Sequence, residues 1–166
     1  MKKLLLIIFS SVLLILAGCI GDDTQEGEFN FLFRYGVTGG NILDTFQDMY
    51  IKDMISEPPI VIGFSLTPEE MDSIYQKMVE IDFFSYPDEF EVTVPEGELV
   101  QLVTPYSYYY FKVQYNGRTK ELTWEDKISN PDEKADKLKE LINLIINIVE
   151  SKEEYKNLPQ PSSGYL

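Results

Sequence analysis

Histidine is absent from the chain, and cysteine and tryptophan occur once each. Without imidazole the protein lacks the one side chain whose unperturbed pKa lies near neutral pH. With Cys19 as the sole thiol there is no internal disulfide, no downstream cysteine nucleophile and no Cys/His zinc set. No metal-ligating or cofactor-binding constellation is recognisable in what remains. Basic residues are scarce as well, fourteen against twenty-eight acidic ones, for a formal net charge of −14. Such a field repels nucleic acid, so no nucleic-acid partner is expected. Apolar and aromatic residues, by contrast, make up 44% and 13% of the chain, ample for a packed core and far from the composition of disorder. The length suits one domain together with export and tether segments.

The amino terminus carries the sharpest motif. Met1-Lys2-Lys3 is a short positive head, Leu4 to Leu16 is apolar apart from Ser10 and Ser11, and small residues precede Cys19. This is the layout of a secretory signal. As a membrane span, Leu4 to Ile20 falls short of the about 20 apolar residues needed and contains two serines. Leu16-Ala17-Gly18-Cys19 resembles the lipobox of bacterial lipoproteins without departure from its pattern. The resemblance implies removal of residues 1–18 and acylation of Cys19, whose thiolate is the nucleophile for a diacylglyceryl group. Two acyl chains suffice for stable anchoring, so the expected location is the extracytoplasmic face of the cell membrane. Residues 19–28 form the lipidated start and an acidic, glycine-punctuated tether, of which Gly21 to Glu28 reaches at most about 26 Å when extended.

From Phe29 to Leu158 a single α+β domain is expected, an antiparallel sheet with two helices packed on one face. Phe29, Phe31, Phe33 and Tyr35 alternate with more polar neighbours in the period of a half-buried strand. Ile42 to Phe46, Met49 to Met54 and Ile60 to Leu66 read as further strands, with Pro58 and Pro59 as an interruption. Thr67-Pro68-Glu69-Glu70 is a capping box with proline at the first helical position, followed by Met71, Ile74, Tyr75 and Met78 at helical spacing. Glu91 to Val94 and Leu99 to Val103 are expected to form a short hairpin about Pro95-Glu96-Gly97, with the acids of 88–98 as a solvated loop. Asn116-Gly117 is the favoured type I′ turn, pairing Phe111 with Leu122, Tyr109 with Trp124 and Lys112 with Glu121. Asn130 is expected to cap a last helix opened by Pro131 and lined by Ala135, Leu138, Leu141, Ile142, Ile145, Ile148 and Val149. A further short turn starts near Ser151, and residues 159–166 are expected to form a flexible tail.

The domain resembles a set of exported lipoproteins from low-GC Gram-positive bacteria that have no assigned activity. The resemblance rests on Tyr50-Ile51-Lys52-Asp53-Met54, Asp82-Phe83-Phe84-Ser85-Tyr86-Pro87, the run Thr104 to Phe111, Glu133 to Leu138 and the Leu158-Pro159 ending. It implies a compartment and no catalytic residue. Three functions stay open. The first is a non-catalytic binding module in which Tyr106, Tyr108 and Tyr110, on the hairpin face opposite Tyr109 and Phe111, meet an envelope protein, peptide or glycan. The second is a carboxylate-dependent hydrolase acting on a cell-envelope substrate, and the third a structural or stress-related envelope protein.

Overall fold

The structure is a computed structural model that describes residues 29–165. The signal segment, Cys19 and the tether lie outside the described residues. Seven strands form one sheet in the order β4-β3-β2-β1-β6-β7-β5. They are β1 (Asn30–Tyr35), β2 (Asn41–Asp44), β3 (Met49–Met54), β4 (Glu57–Gly63), β5 (Glu89–Phe90), β6 (Tyr108–Tyr115) and β7 (Arg118–Glu125). The helices are α1 (Pro68–Glu80), α2 (Glu133–Ser151) and the short α3 (Glu153–Lys156), with a 3-10 turn at Phe83–Ser85. Every neighbouring pair is antiparallel except β5 with β7, which is parallel. The α+β class is therefore correct, with one parallel pair added at an edge.

Alternation along the strands builds the core. Ile62, Tyr50, Leu43, Phe33, Phe111 and Leu122 are successive partners across six strands. All but Ile62 in this row are fully buried, each stabilising by about 1.5–3 kcal/mol through burial. Phe33 and Phe111 stack at 4.5 Å, and Phe83 meets Phe111 edge-on at 5.3 Å. Ile74 and Met78 of α1, with Leu138, Leu141, Ile142, Ile145 and Val149 of α2, belong to the same buried cluster.

Local signals place the elements. Thr67 accepts from the Glu70 N–H at 3.2 Å while Glu70 accepts from the Thr67 N–H at 2.8 Å, closing the reciprocal box. Asn116 and Gly117 both have positive φ, 50° and 71°, as a type I′ turn demands. The hairpin register runs as expected, with Phe111 opposite Leu122, Tyr109 opposite Trp124 and Lys112 opposite Glu121.

Four expectations need correction. Pro58 and Pro59 lie inside β4 and do not interrupt it. β4 is an edge strand with a register shift opposite Lys52 to Met54, where missing N–H donors are tolerated. Glu91 to Val94 does not pair with Leu99 to Val103; Glu89 and Phe90 run beside Thr123 and Trp124 instead. Pro95-Glu96-Gly97 still turns, with Gly97 at φ 89° and Glu98 N–H donating to Pro95. The cap of α2 is Asp132, whose carboxylate accepts from the Ala135 N–H at 2.9 Å, so Asn130 is free for another task. Finally, residues after Pro159 lie against β3 and β4, with Ser163 bonded to Ser56, Ser162 to Glu57, and Tyr165 to Asp53 and Thr38.

Candidate functional site

Strand direction gives the sheet two ends. Phe29, the first described residue and the one to which the tether expected from the sequence would connect, lies beside the β2–β3 turn, since the Thr45 N–H donates to Phe31 O at 3.0 Å. The Asn116-Gly117 turn is at this same tether end, because Asn30 pairs with Gln114. β1 then runs about 20 Å to a far end, where Gly36 O accepts from the Tyr108 N–H at 2.9 Å.

The three candidate tyrosines lie toward the far end and are all half-buried. The Tyr108 ring rests on Gly39, whose φ is +65°. A Cβ there would meet a ring carbon at 2.5 Å, so the glycine permits the contact. Arg34 donates from Nε to Gly39 O at 3.1 Å and pairs across the sheet with Tyr110. The Tyr110 hydroxyl donates to Glu121 Oε2 at 2.9 Å. Its pKa is pushed up to about 12, chiefly by burial and then by that carboxylate. Tyr106 follows the turn at Thr104-Pro105. The fold thus brings Tyr108 and Tyr110 onto one face, as part of the framework.

What stands out beside them is the segment leading into β6. Leu102 bridges Ile128, with Val103 N–H donating to Lys127 O and Ser129 N–H to Gln101 O. Asn130 locks the segment. Its buried side chain accepts from the Gln101 N–H at 2.8 Å and donates to Leu99 O at 3.0 Å. The backbone is held, yet Leu99 and Leu102 are 87% and 71% exposed, and Val100 and Val103 are exposed too. In an antiparallel bridge of this pattern Leu102 turns its own N–H and C=O away from residues 127–130. That edge is open. The turn at Pro95-Glu96-Gly97 marks this run as a hairpin arm in the sequence, but nothing local indicates that its apolar side chains face solvent.

A second feature sits at the far end of β3. Tyr50, Lys52 and Met54 alternate onto the core side, and Lys52 is only 3% exposed. Its Nζ has no hydrogen-bond partner among the described residues and lies 4.7 Å from the Tyr155 ring centroid. Burial pushes this ammonium below the usual lysine range, with Glu150 acting the other way. Nearby, the Tyr35 and Tyr50 hydroxyls share a 2.7 Å hydrogen bond, and burial raises both pKa values. Asp53 is pushed up by burial, but donors Tyr165, Ile55 N–H and Thr38 outweigh this and hold its carboxyl below the usual range. A cavity of about 170 Å³ lies between Lys52, Asp53, Tyr155 and Tyr165.

Acids line two open grooves along β5, one with Asp88, Glu89 and Glu121, the other with Glu89, Glu91 and Glu125. All five carboxylates are exposed. Lys120 pairs with Asp88, Tyr110 donates to Glu121, and Lys127 bridges Glu91 and Glu125. A general acid at neutral pH needs an apolar setting that raises its pKa, and these grooves are solvated. Among the described residues no group of three or more acids, cysteines or histidines is placed to hold a metal ion, and no helix is long and apolar enough to cross a membrane. The chain matches no protein-family model, and no curated protein matches it.

Proposed function

We propose that this chain is a lipoprotein held by acyl chains on Cys19 at the extracytoplasmic face of the cell membrane, and that its domain is a non-catalytic binding module. In this reading both helices pack on one face of the sheet. Support for that packing comes from Ile74, Met78 and the α2 stripe sharing one buried cluster with Phe33, Phe111 and Leu122.

The observation that carries the binding role is the clamped, solvent-facing run Leu99 to Val103. Asn130 and the bridge to Ile128 hold its backbone in an extended shape while one edge and four apolar side chains stay free. An extended segment of another protein adds to such an edge through backbone hydrogen bonds, with side-chain contacts setting specificity. Glu96 and Glu98 flank the run, so the segment that fits is apolar with lysine or arginine beside it. Tyr106 and Tyr108, next along the chain, extend the apolar contact. The partner class is an envelope protein presenting a cationic, extended segment.

The test is selection from a random peptide library against the acylated protein in detergent. Recovered peptides are expected to alternate apolar and basic residues, and to bind at least about tenfold more weakly to a Leu99→Ser, Leu102→Ser double variant, given roughly 1.4 kcal/mol per decade. Peptides without that pattern, or equal binding to both proteins, would sink the proposal.

A further inference from the structure

We infer that the tether end of the domain is itself a membrane-docking surface, seated on phospholipid headgroups; this rests on the reading of Cys19 as an acyl anchor. Exposed large apolar side chains among the described residues gather at the two sheet ends, with Val61 alone between them. The far end has the Leu99 to Val103 run. At the tether end are Phe46, Val79 and Phe84.

Three contacts fix their placement. Phe46 follows Thr45, whose N–H is bonded to Phe31 O beside the start of β1. The Phe29 ring meets Tyr75 at 5.3 Å, Tyr75 meets Tyr115 at 4.6 Å, and Phe84 meets Tyr115 at 6.4 Å. Val79 and Phe84, with Tyr75, Tyr115 and Arg118, line a mainly apolar cavity of about 380 Å³. The chain therefore leaves the domain through Phe29 directly into this aromatic surface. The ten residues from Cys19 to Glu28 span at most about 35 Å and join the domain at this end, which keeps it nearest the anchor's point of attachment.

Its chemistry suits that neighbour. Tyrosine rings at headgroup depth offer an apolar body to the acyl boundary and a hydroxyl to water, and Phe46 and Phe84 add apolar area beside them. Arg118 is exposed and forms no ion pair among the described residues, leaving its guanidinium for a lipid phosphate. With a net charge of −14 the chain as a whole is repelled by anionic headgroups, so Arg118 and the apolar rings set the end-on posture, with the Leu99 to Val103 run pointing away.

The experiment uses the acylated protein carrying Phe84→Trp or, separately, Leu102→Trp. Each is reconstituted into vesicles of equal parts phosphatidylcholine and phosphatidylglycerol, with or without brominated acyl chains. Trp124 is buried and supplies the same background in both. Emission from residue 84 is expected to fall about twofold with brominated lipid while emission from residue 102 is unchanged, as interfacial depth dictates. Arg118→Glu is expected to lessen the quenching at residue 84 without releasing the protein. Protein that remains soluble overturns the anchoring itself. Vesicle-bound protein whose residue 84 is quenched no more than residue 102 overturns the docking alone, and leaves the cavity to a protein partner or a second copy.

Discussion

The two ends of the sheet solve the same problem, turning the chain between strands, by different means. At the tether end the left-handed backbone positions are Asp48 at φ 49° and the pair Asn116 and Gly117, residue types whose short polar side chain or missing Cβ tolerates that region. At the far end Gly36 and Gly39 serve the β1–β2 turn with φ 101° and 65°, whereas in the β3–β4 turn Ile55 takes φ 64°, a conformation that costs a β-branched residue about 1–2 kcal/mol. The Ile55 N–H donates to Asp53 Oδ1 at 2.8 Å, and Asp53 is in turn bonded to Thr38 and Tyr165. The β3–β4 turn at the far end is thus held in part by contacts distant in sequence, from Thr38 and Tyr165 to Asp53, while the Asn116-Gly117 turn is held by its own residues. The difference teaches that the β3–β4 turn, like the Leu99 to Val103 run clamped by Asn130, takes its shape from segments far away in sequence.

Removing the shared core is the strongest way to break the comparison. Phe111 lies in the row that spans both halves of the sheet and touches Phe33 and Phe83. Phe111→Ala is expected to destabilise by about 4 kcal/mol and to increase hydrogen exchange equally at both ends. Urea unfolding with exchange mass spectrometry would check this; protection lost at one end only would mean that the ends are separate units.

Asn130→Ala is the next test, directed at the far end alone. The amide satisfies one donor and one acceptor of the Leu99 to Val103 backbone in partly buried bonds. Its loss is expected to cost about 2 kcal/mol, with exchange rising in residues 99–103 and not in the Asn116-Gly117 hairpin. Unchanged protection at Gln101 would show that the bridge to Ile128 suffices without the clamp.

That clamp also marks where reading the sequence stops. Asn116-Gly117, the Thr67 box and the alternation of Phe31, Phe33 and Tyr35 are legible because each signal and its consequence lie within a few residues. Asn130 reads as a helix cap because it precedes Pro131, and only the fold reveals that its partners are 29 and 31 residues away. The two-residue strand Glu89–Phe90 is too short to show a period, and its parallel pairing with β7 is set by tertiary packing. Of the candidate site, the shared face of Tyr108 and Tyr110 follows from period two. Their half-burial, and the exposure of Leu99 and Leu102, depend on which segment ends up beside them. Lys52 was within reach, since a lysine between Tyr50 and Met54 occupies a core position by alternation, but its environment required Tyr155 from α3.

Strain at the far end yields a prediction of opposite sign. Ile55→Asn puts a residue that accepts left-handed backbone where isoleucine is forced into it. Stability is expected to rise by about 1 kcal/mol, partly offset by the apolar area lost at a half-buried position. Thermal unfolding of the variant decides the matter. A lower midpoint would mean that Ile55 contributes more through packing than its backbone costs.

The smallest effect concerns Tyr110, and its sign follows from linkage. Burial and Glu121 raise the Tyr110 pKa to about 12 in the folded protein, from an ordinary tyrosine value of 10.0. The folded state therefore holds this proton more tightly than the unfolded chain. Its contribution is fully present below the ordinary value and is lost as pH rises through about 12. Tyr86 shifts the same way, chiefly through burial, to about 12, so the far-end phenol is not the only contributor. In Tyr110→Phe, stability at neutral pH is expected to fall by less than about 1 kcal/mol, because the lost hydrogen bond is partly solvated. The alkaline decline should become shallower by one group. Phenolate absorbance followed alongside circular dichroism would separate the two events. If Tyr110 ionised well before the fold loosened, the half-buried tyrosine face would be more open to solvent than its packing on Glu121 and Arg34 implies, and more available to a partner.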